Sequence, residues 1–276
     1  MATWVIVGAS RGLGYEYLKT LSANPSNTVV GIARTPANVT KQLSTDGLTK
    51  VKMVQGDMDD YKSLNAAAEE VSKLVGGAVD YLIINGAYGG NNEEITMLSP
   101  TQLVGHEEQL RTEFNQAMST NALGPLFATN AFLPLVRAGK AKKIVVISSG
   151  MADMDGMAMA GIAASVAYSA SKAAVNLVVA KTALDLKPDG IAILALSPGL
   201  VTTSGSDEAY KWMTQAFKGY EPNFKGPITT EQSVKAQLKV IDNFTLEQTG
   251  QFLSHLGNKR WLSANGEGDG VAPGFE

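Results

Sequence analysis

Tyr168 and Lys172 stand four residues apart in the stretch Tyr168-Ser169-Ala170-Ser171-Lys172. On a helix that spacing places both on one face, a single turn apart. A phenol with its ordinary pKa near 10 is a poor acid–base at neutral pH. A lysine ammonium beside it favours the phenolate and lowers that value, which suits the pair to moving a proton. The pairing is common, so its context decides. Upstream lies Lys143-Ile144-Val145-Val146-Ile147-Ser148-Ser149, an apolar strand ending in two hydroxyls, either of which could polarise a carbonyl oxygen.

A second chemical feature opens the chain. Val7-Gly8-Ala9-Ser10-Arg11-Gly12-Leu13-Gly14 sits between a β-branched run and a helical pattern. Gly8 permits a tight turn, Gly12 lets the backbone approach a pyrophosphate, and Gly14 lets the helix pack closely. Free N–H groups at the helix start then face the anion. This strand–turn–helix context predicts a dinucleotide site. About 20 residues on, an NAD site needs a carboxylate for the ribose 2′-hydroxyl. Here the chain reads Gly31-Ile32-Ala33-Arg34-Thr35, with no acid between Glu16 and Asp46. Arg34 offers a planar fork suited to a 2′-phosphate, and Arg11 could lie on the same side. The pattern favours NADP(H) over NAD.

These residues need a scaffold. The chain has 276 residues, 45% of them hydrophobic and 18% charged, with a net charge of −3. That is a globular balance, which excludes disorder and argues against nucleic acid or an anionic membrane as partner. There is no cysteine, so disulfides, a thiol nucleophile and thiolate metal sites are excluded. With two histidines, His106 and His255, a multi-histidine metal site is not expected. No basic leader and no apolar run of about 18 residues is visible, so a cytoplasmic protein without a membrane span is expected.

Strands are predicted at Thr3–Val7, Thr28–Ala33, Val51–Gln55, Val79–Ile84, Lys143–Ser148, Ile191–Leu196 and Gln251–Ser254. Helices are predicted at Gly12–Leu21, Tyr61–Val75, Glu107–Leu123, Ala164–Leu186 and Thr230–Ile241, with Pro125 bending or interrupting the third and Pro188 and Gly190 stopping the fourth. Strands alternating with helices imply right-handed crossovers, hence an α/β fold: a single doubly wound Rossmann-type domain over 1–276 with about seven mainly parallel strands and helices on both faces. Segments 88–105, 150–163 and 204–226 fall outside this pattern as long loops at strand ends, where such folds bind substrate. The tail, Ser263–Glu276, carries four glycines among its polar residues.

In their joint order these motifs resemble the short-chain dehydrogenase/reductase family, in its carbonyl-reductase-like branch, over nearly the whole chain. Gly8–Gly14, with Ser10, Arg11 and Leu13, resembles the family's glycine motif. Asp57, followed by Met58, resembles the acid that contacts the adenine. Ile84-Asn85-Gly86-Ala87 stands where the family usually has Asn-Asn-Ala-Gly, and Val7 stands where it has threonine. Asn121, Ser149, Tyr168 and Lys172 are similar to the catalytic asparagine, serine, tyrosine and lysine. Pro198-Gly199-Leu200-Val201-Thr202-Thr203 resembles the segment whose backbone and threonine hold the nicotinamide amide, through Pro198, Gly199, Val201 and Thr203. Gly250–Leu253 followed by Trp261 resembles the branch's C-terminal strand. The gap between Ser149 and Tyr168 is longer than the family's usual dozen or so residues, which leaves Ser148, and more remotely Ser165, as alternative hydroxyls.

The resemblance implies hydride transfer between the nicotinamide and a carbonyl or alcohol of a small molecule. Tyr168 would protonate the oxygen, Ser149 would donate a hydrogen bond to it, and Lys172 would lower the Tyr168 pKa and bind the nicotinamide ribose. Asn121 would hold a water linking Lys172 to solvent. A non-catalytic NADP-binding scaffold and a non-redox dehydratase or epimerase are the rival readings. The family allows a homo-oligomer, dimer or tetramer, through the helices containing Asn121 and Tyr168. Met151, Met154, Met157 and Met159 suit either an apolar substrate wall or loop packing. Tyr210, Trp212, Met213, Phe217 and Tyr220 suit either a lid or one packed helix face.

Overall fold

The computed structural model describes residues 2–203, 207–220 and 224–259. Part of the 204–226 connection, Trp261 and the glycine-containing tail lie outside the described residues. Seven strands form one parallel sheet: β1 (Thr3–Val7), β2 (Thr28–Ala33), β3 (Lys52–Gln55), β4 (Tyr81–Ile84), β5 (Lys143–Ile147), β6 (Ala192–Ser197) and β7 (Phe252–Ser254). Their order is β3-β2-β1-β4-β5-β6-β7. The fold is the expected doubly wound Rossmann-type sheet, and every strand pair is parallel rather than most of them.

The helices are α1 (Gly12–Ser22), α2 (Pro36–Thr45), α3 (Tyr61–Val75), α4 (Glu93–Met97), α5 (Glu107–Met118), α6 (Gly124–Ala138), α7 (Met154–Ala160), α8 (Val166–Leu186), α9 (Asp207–Tyr220) and α10 (Thr230–Asn243). Side chains along a strand alternate between faces, and the core divides accordingly. Val5, Val7, Leu82, Ile84, Ile144, Val146 and Ile193 meet Leu64 and Val71 of α3, Phe132 and Val136 of α6, and Val175 and Val179 of α8. Trp4, Ile6, Ile83, Val145, Ile147 and Leu194 meet Tyr17 and Leu18 of α1, Val39 and Leu43 of α2, and Val234 and Ile241 of α10. Each such side chain, fully buried, contributes about 1.5–3 kcal/mol of transfer free energy. This two-sided burial is why the strands read as unbroken apolar runs.

The predicted Glu107–Leu123 helix divides. α5 ends at Met118, a π-helical turn spans Ser119–Leu123, and α6 resumes at Gly124 with Pro125 in its first turn. Proline supplies no N–H to the regular ladder, and a widened turn is one way a helix accommodates that lapse. The short α4 and α7, and α9, occupy segments expected as loops. α2 was not anticipated: only Val39 and Leu43 are buried on it, too few for a visible helical period. Among the described residues no helix is long and apolar enough to cross a membrane.

From β1 the sheet grows outward to β2 and β3, then resumes on the other side of β1 with β4. The chain therefore leaves β1 and β4 toward opposite faces of the sheet, which opens a crevice at the strands' C-terminal ends. Gly14 lies beneath the turn after β1: a methyl there would lie 2.1 Å from the Gly8 carbonyl oxygen and 2.8 Å from the Asn85 amide nitrogen. Gly14→Ala is therefore expected to destabilise the protein by about 1–3 kcal/mol through overpacking, read from urea unfolding; an unchanged midpoint would contradict this contact.

Candidate active site

A cleft of about 1190 Å³ opens above the C-terminal ends of the strands. Its first wall is the glycine turn. Gly8 has φ +81°, and a methyl on it would lie 2.4 Å from the Gly86 backbone. The two loops thus touch main chain to main chain. Asn85 fastens them, its side-chain amide donating to the Gly8 carbonyl at 3.0 Å. Gly8 and Ala9 N–H both donate to the Ile32 carbonyl at 3.0 Å, which curls the turn back over β2. Gly8, Ser10, Arg11, Gly12, Leu13, Arg34, Asp57, Met58, Asn85, Gly86 and Ala87 all line the cleft. Gly14 does not, since it packs beneath the turn. Arg11 and Arg34 are exposed and enter no ion pair among the described residues.

The opposite wall comes from β5, α8 and the segment after β6. Ser149, Tyr168 and Lys172 line it together with Pro198, Gly199, Val201 and Thr203. Lys172 is 2% exposed, and its ammonium donates to the Ile147 carbonyl at 2.7 Å. It lies 5.9 Å from the centre of the Tyr168 ring. Burial brings the Lys172 pKa down to about 8. Burial also pushes the half-buried Tyr168 phenol up, offset in part by a hydrogen bond from Ser149. The expected lowering of Tyr168 by Lys172 is thus reversed: dehydration of the phenol outweighs an ammonium turned onto a strand carbonyl. The hydroxyl beside Tyr168 is that of Ser149. Ser148, the alternative, is buried and donates to the Asn176 side chain at 2.6 Å. Ser165 has φ +61° and binds the Thr96 carbonyl through its N–H at 2.8 Å, so it anchors the 88–105 segment.

Asn121 sits in the π turn, fully buried, and is not on the cleft wall. Its Oδ1 accepts from Tyr88 N–H at 2.7 Å, and its Nδ2 donates to the Tyr88 carbonyl at 2.8 Å and Ser171 Oγ at 2.9 Å. Both amide hydrogens are engaged. The side chain clasps the loop after β4 to α8, so the expected water contact does not follow from its amide. Asp59, which the sequence reading passed over, joins this turn from the other side. It accepts from Gln116, Ser119 and Thr120 at 2.8–3.0 Å and lines the cleft. A lone surface acid in an Asp-rich turn carried no distinguishing signal.

Tyr88, Asn91, Met151, Met157, Leu200, Met213 and Phe217 complete the cleft away from the glycine turn. Met151, Met157, Leu200 and Met213 also pack against Phe217 and Phe224, so wall and packing are one cluster. Met154 is 85% exposed, and Met159 and Trp212 are partly exposed. Tyr210 donates to the Val201 carbonyl and accepts from Thr203 N–H at 2.7 Å, which fixes α9 to the segment after β6. The side chain of Tyr220 lies outside the described residues. His255 is buried against Gly199 with its Nδ1 unpartnered, and burial brings its pKa down to about 4.

The buried ammonium makes a pH signature. Between pH 8 and about 10 the unfolded chain still holds the Lys172 proton while the folded protein releases it, so stability rises with pH across that window. Wild type should gain stability relative to Lys172→Met over that range in urea unfolding; a constant difference would discount the dehydrated ammonium.

Comparison with known proteins fixes the family. A family model described as short chain dehydrogenase matches residues 2–214. The chain is 41% identical over 273 residues to the short-chain dehydrogenase/reductase AacuF of Aspergillus aculeatus, covering 95% of this chain and 100% of that protein. It is 37% identical over 268 residues to the short-chain dehydrogenase/reductase atnB of Arthrinium sp., again over 95% and 100%. Among solved structures it resembles the NADPH-bound carbonyl reductase from chicken fatty liver, with a TM-score of 0.72, 23% identity and coverage of 94% and 98%. It also resembles the carbonyl reductase Sniffer of D. melanogaster, with a TM-score of 0.73, 20% identity and the same coverage. With the match running through both walls of the cleft, the chain belongs to the short-chain dehydrogenase/reductase family of oxidoreductases.

Proposed function

We propose that this protein is an NADP(H)-dependent carbonyl reductase acting on a neutral, apolar ketone or aldehyde, within a single Rossmann-type domain. The observation that carries this reading is the meeting of Ser149, Tyr168 and Lys172 with the glycine turn on one continuous cleft. Its volume of about 1190 Å³ exceeds the range of about 300–1,000 Å³ usual for one small ligand. A dinucleotide and a second molecule both fit that measure.

The residues suit the cofactor. Gly8 and Gly12 line the cleft without side chains at the start of α1, which leaves main chain bare for a pyrophosphate. Arg11 and Arg34, exposed on the cleft, provide two cations for a 2′-phosphate. Asp57 and Met58 border the adenine end, and Asn85, Gly86 and Ala87 the middle. Pro198, Gly199, Val201 and Thr203 would hold the nicotinamide amide. NADP(H), when bound, supplies the hydride donor or acceptor.

The chain's own part is position and protons. In the reductive direction Tyr168 gives its phenolic proton to the carbonyl oxygen as negative charge develops there. The raised pKa keeps that proton on the phenol at neutral pH, ready for donation. Ser149 donates a hydrogen bond to the same oxygen and holds the carbonyl in place. Lys172 is largely protonated at pH 7 and stabilises the phenolate that remains. It would also hold the nicotinamide ribose. The cleft's other charged residues, Arg11, Arg34, Asp57 and Asp59, follow β1, β2 and β3. Segments 88–105, 150–163 and 204–226 contribute Tyr88, Asn91, Met151, Met157, Met213 and Phe217 to the remaining wall. That wall suits an uncharged, adaptable apolar substrate.

Oxidation of NADPH across a panel of ketones, quinones and aldehydes tests the proposal. Tyr168→Phe should lower turnover by about 10²–10⁴-fold while retaining NADPH binding; wild-type rates would remove Tyr168 from its role. Arg34→Asp should move the ratio of kcat/KM values toward NADH, and an unchanged ratio would discard Arg34 as a 2′-phosphate ligand. Turnover without net change in cofactor oxidation state would favour a dehydratase or epimerase instead.

A further inference from the structure

Three polar side chains are buried together behind the cleft, where apolar packing would have served the core equally well. Tyr17 lies on α1, the helix that follows the glycine turn, and is 0% exposed. Its hydroxyl donates to Gln237 Oε1 of α10 at 2.7 Å. Gln237, also 0% exposed, donates from Nε2 to Ser233 Oγ at 2.8 Å, one helical turn back. Ser233, again 0% exposed, donates to the Pro198 carbonyl at 2.6 Å.

The direction of every bond is forced. An amide oxygen can only accept, so the phenol donates. The amide nitrogen can only donate, so Ser233 accepts there and has its own hydrogen left for Pro198. Burial pushes the Tyr17 phenol far up, so it remains a donor. A buried network of this kind fixes geometry when every member is satisfied and is destabilising when one is not.

The chain ends on a peptide under constraint. Gly199 follows Pro198 with φ +82°, and a methyl on it would lie 2.9 Å from the His255 ring. Ser233 therefore holds the carbonyl on one side while His255 packs against the α-carbon on the other. Just downstream, Ile228 N–H donates to the Leu200 carbonyl at 2.8 Å and Thr202 N–H to the Ile228 carbonyl at 3.0 Å. The segment from Pro198 to Thr203 has little freedom once its first peptide is set.

We propose that Tyr17, Gln237 and Ser233 are positioning residues, a hydrogen-bonded chain that sets the Pro198–Gly199 peptide at the nicotinamide end of the cleft from the helix at the pyrophosphate end. This rests on the function proposed above, which assigns those two ends. Its distinctive consequence is that Tyr17, carried by the glycine-turn helix, acts on the far end of the cofactor.

Adenosine 2′,5′-bisphosphate, which lacks the nicotinamide half, separates the ends. Binding of NADPH and of this fragment is measured by calorimetry for wild type, Tyr17→Phe, Ser233→Ala and the double variant, with kcat for any carbonyl that wild type reduces. Each single variant should weaken NADPH binding and lower kcat by about tenfold, as a displaced reacting ring would, while fragment affinity stays within about twofold. The double variant should be no worse than Ser233→Ala, since both break one chain. Thr249→Val is the control: it removes the part-buried hydrogen bond from Ile193 N–H to Thr249 Oγ1 at 2.9 Å and should move neither ligand. Where Ser233→Ala does not fold, Tyr17→Phe, which removes one oxygen, carries the measurement. NADPH and fragment affinities falling together, or neither moving in folded variants, would overturn the chain. A wild type that leaves NADPH unoxidised across the carbonyl panel would overturn the function and the chain with it.

Discussion

At the end of β1 the main chain of Gly8 meets the main chain of Gly86, with no room for a methyl between them. The rest of the cleft is arranged around that approach. It brings the loops after β1 and β4 together at the crevice where the order of the sheet reverses. It puts the Asn85 amide within reach of the Gly8 carbonyl, and it sets α1 close enough for Gly14 to lie beneath the turn. Met58 extends the contact: its side chain lies against Gly86 and against Gly124, where α6 begins. A side chain on any of these glycines would push apart elements that otherwise share hydrogen bonds. What this edge requires is main chain free of side chains.

The opposite wall rests on a less comfortable arrangement. An ammonium buried at 2% exposure, with Ile147 as its hydrogen-bond acceptor, is held at a cost in dehydration. The half-buried Tyr168 phenol beside it is dehydrated as well. Two such groups side by side cost this wall stability. The fold compensates nearby, because β5 and β6, which carry Ser149 and Pro198 at their ends, are buried along almost their full length.

Much of this was legible in the amino-acid order. Apolar runs such as Ile144–Ile147 and the glycine spacing at Gly8, Gly12 and Gly14 each answer to one local rule, and all seven strands appear where those rules put them. The placement of Ser149 rather than Ser148 beside Tyr168 was not decidable from two adjacent hydroxyls; it follows from Asn176, twenty-eight residues away, which engages Ser148. The sequence points to Asn121 as a site residue; in the structure its amide holds the Tyr88 backbone, a partner set by a π turn that no periodicity announces. The direction of the Tyr168 shift depends on how far water is excluded, which spacing alone does not encode. α2, with two buried side chains, fell below what a helical period can reveal.

The segment carrying α9 departs after Thr203 and returns before Ile228, beyond the end of β6. Those two roots are stapled to each other by the paired bonds between Ile228 and its neighbours Leu200 and Thr202, and Tyr210 adds a third tie at Val201 and Thr203. Chain inserted between fastened ends adds only slowly to the entropy of closing the loop. Such a cassette can change in length and composition while its attachment points, and the cleft beneath them, keep their shape. In evolutionary and engineering terms, the α9 insert is separable from the groove it borders, and grafting between fixed stems is the natural route to altering it.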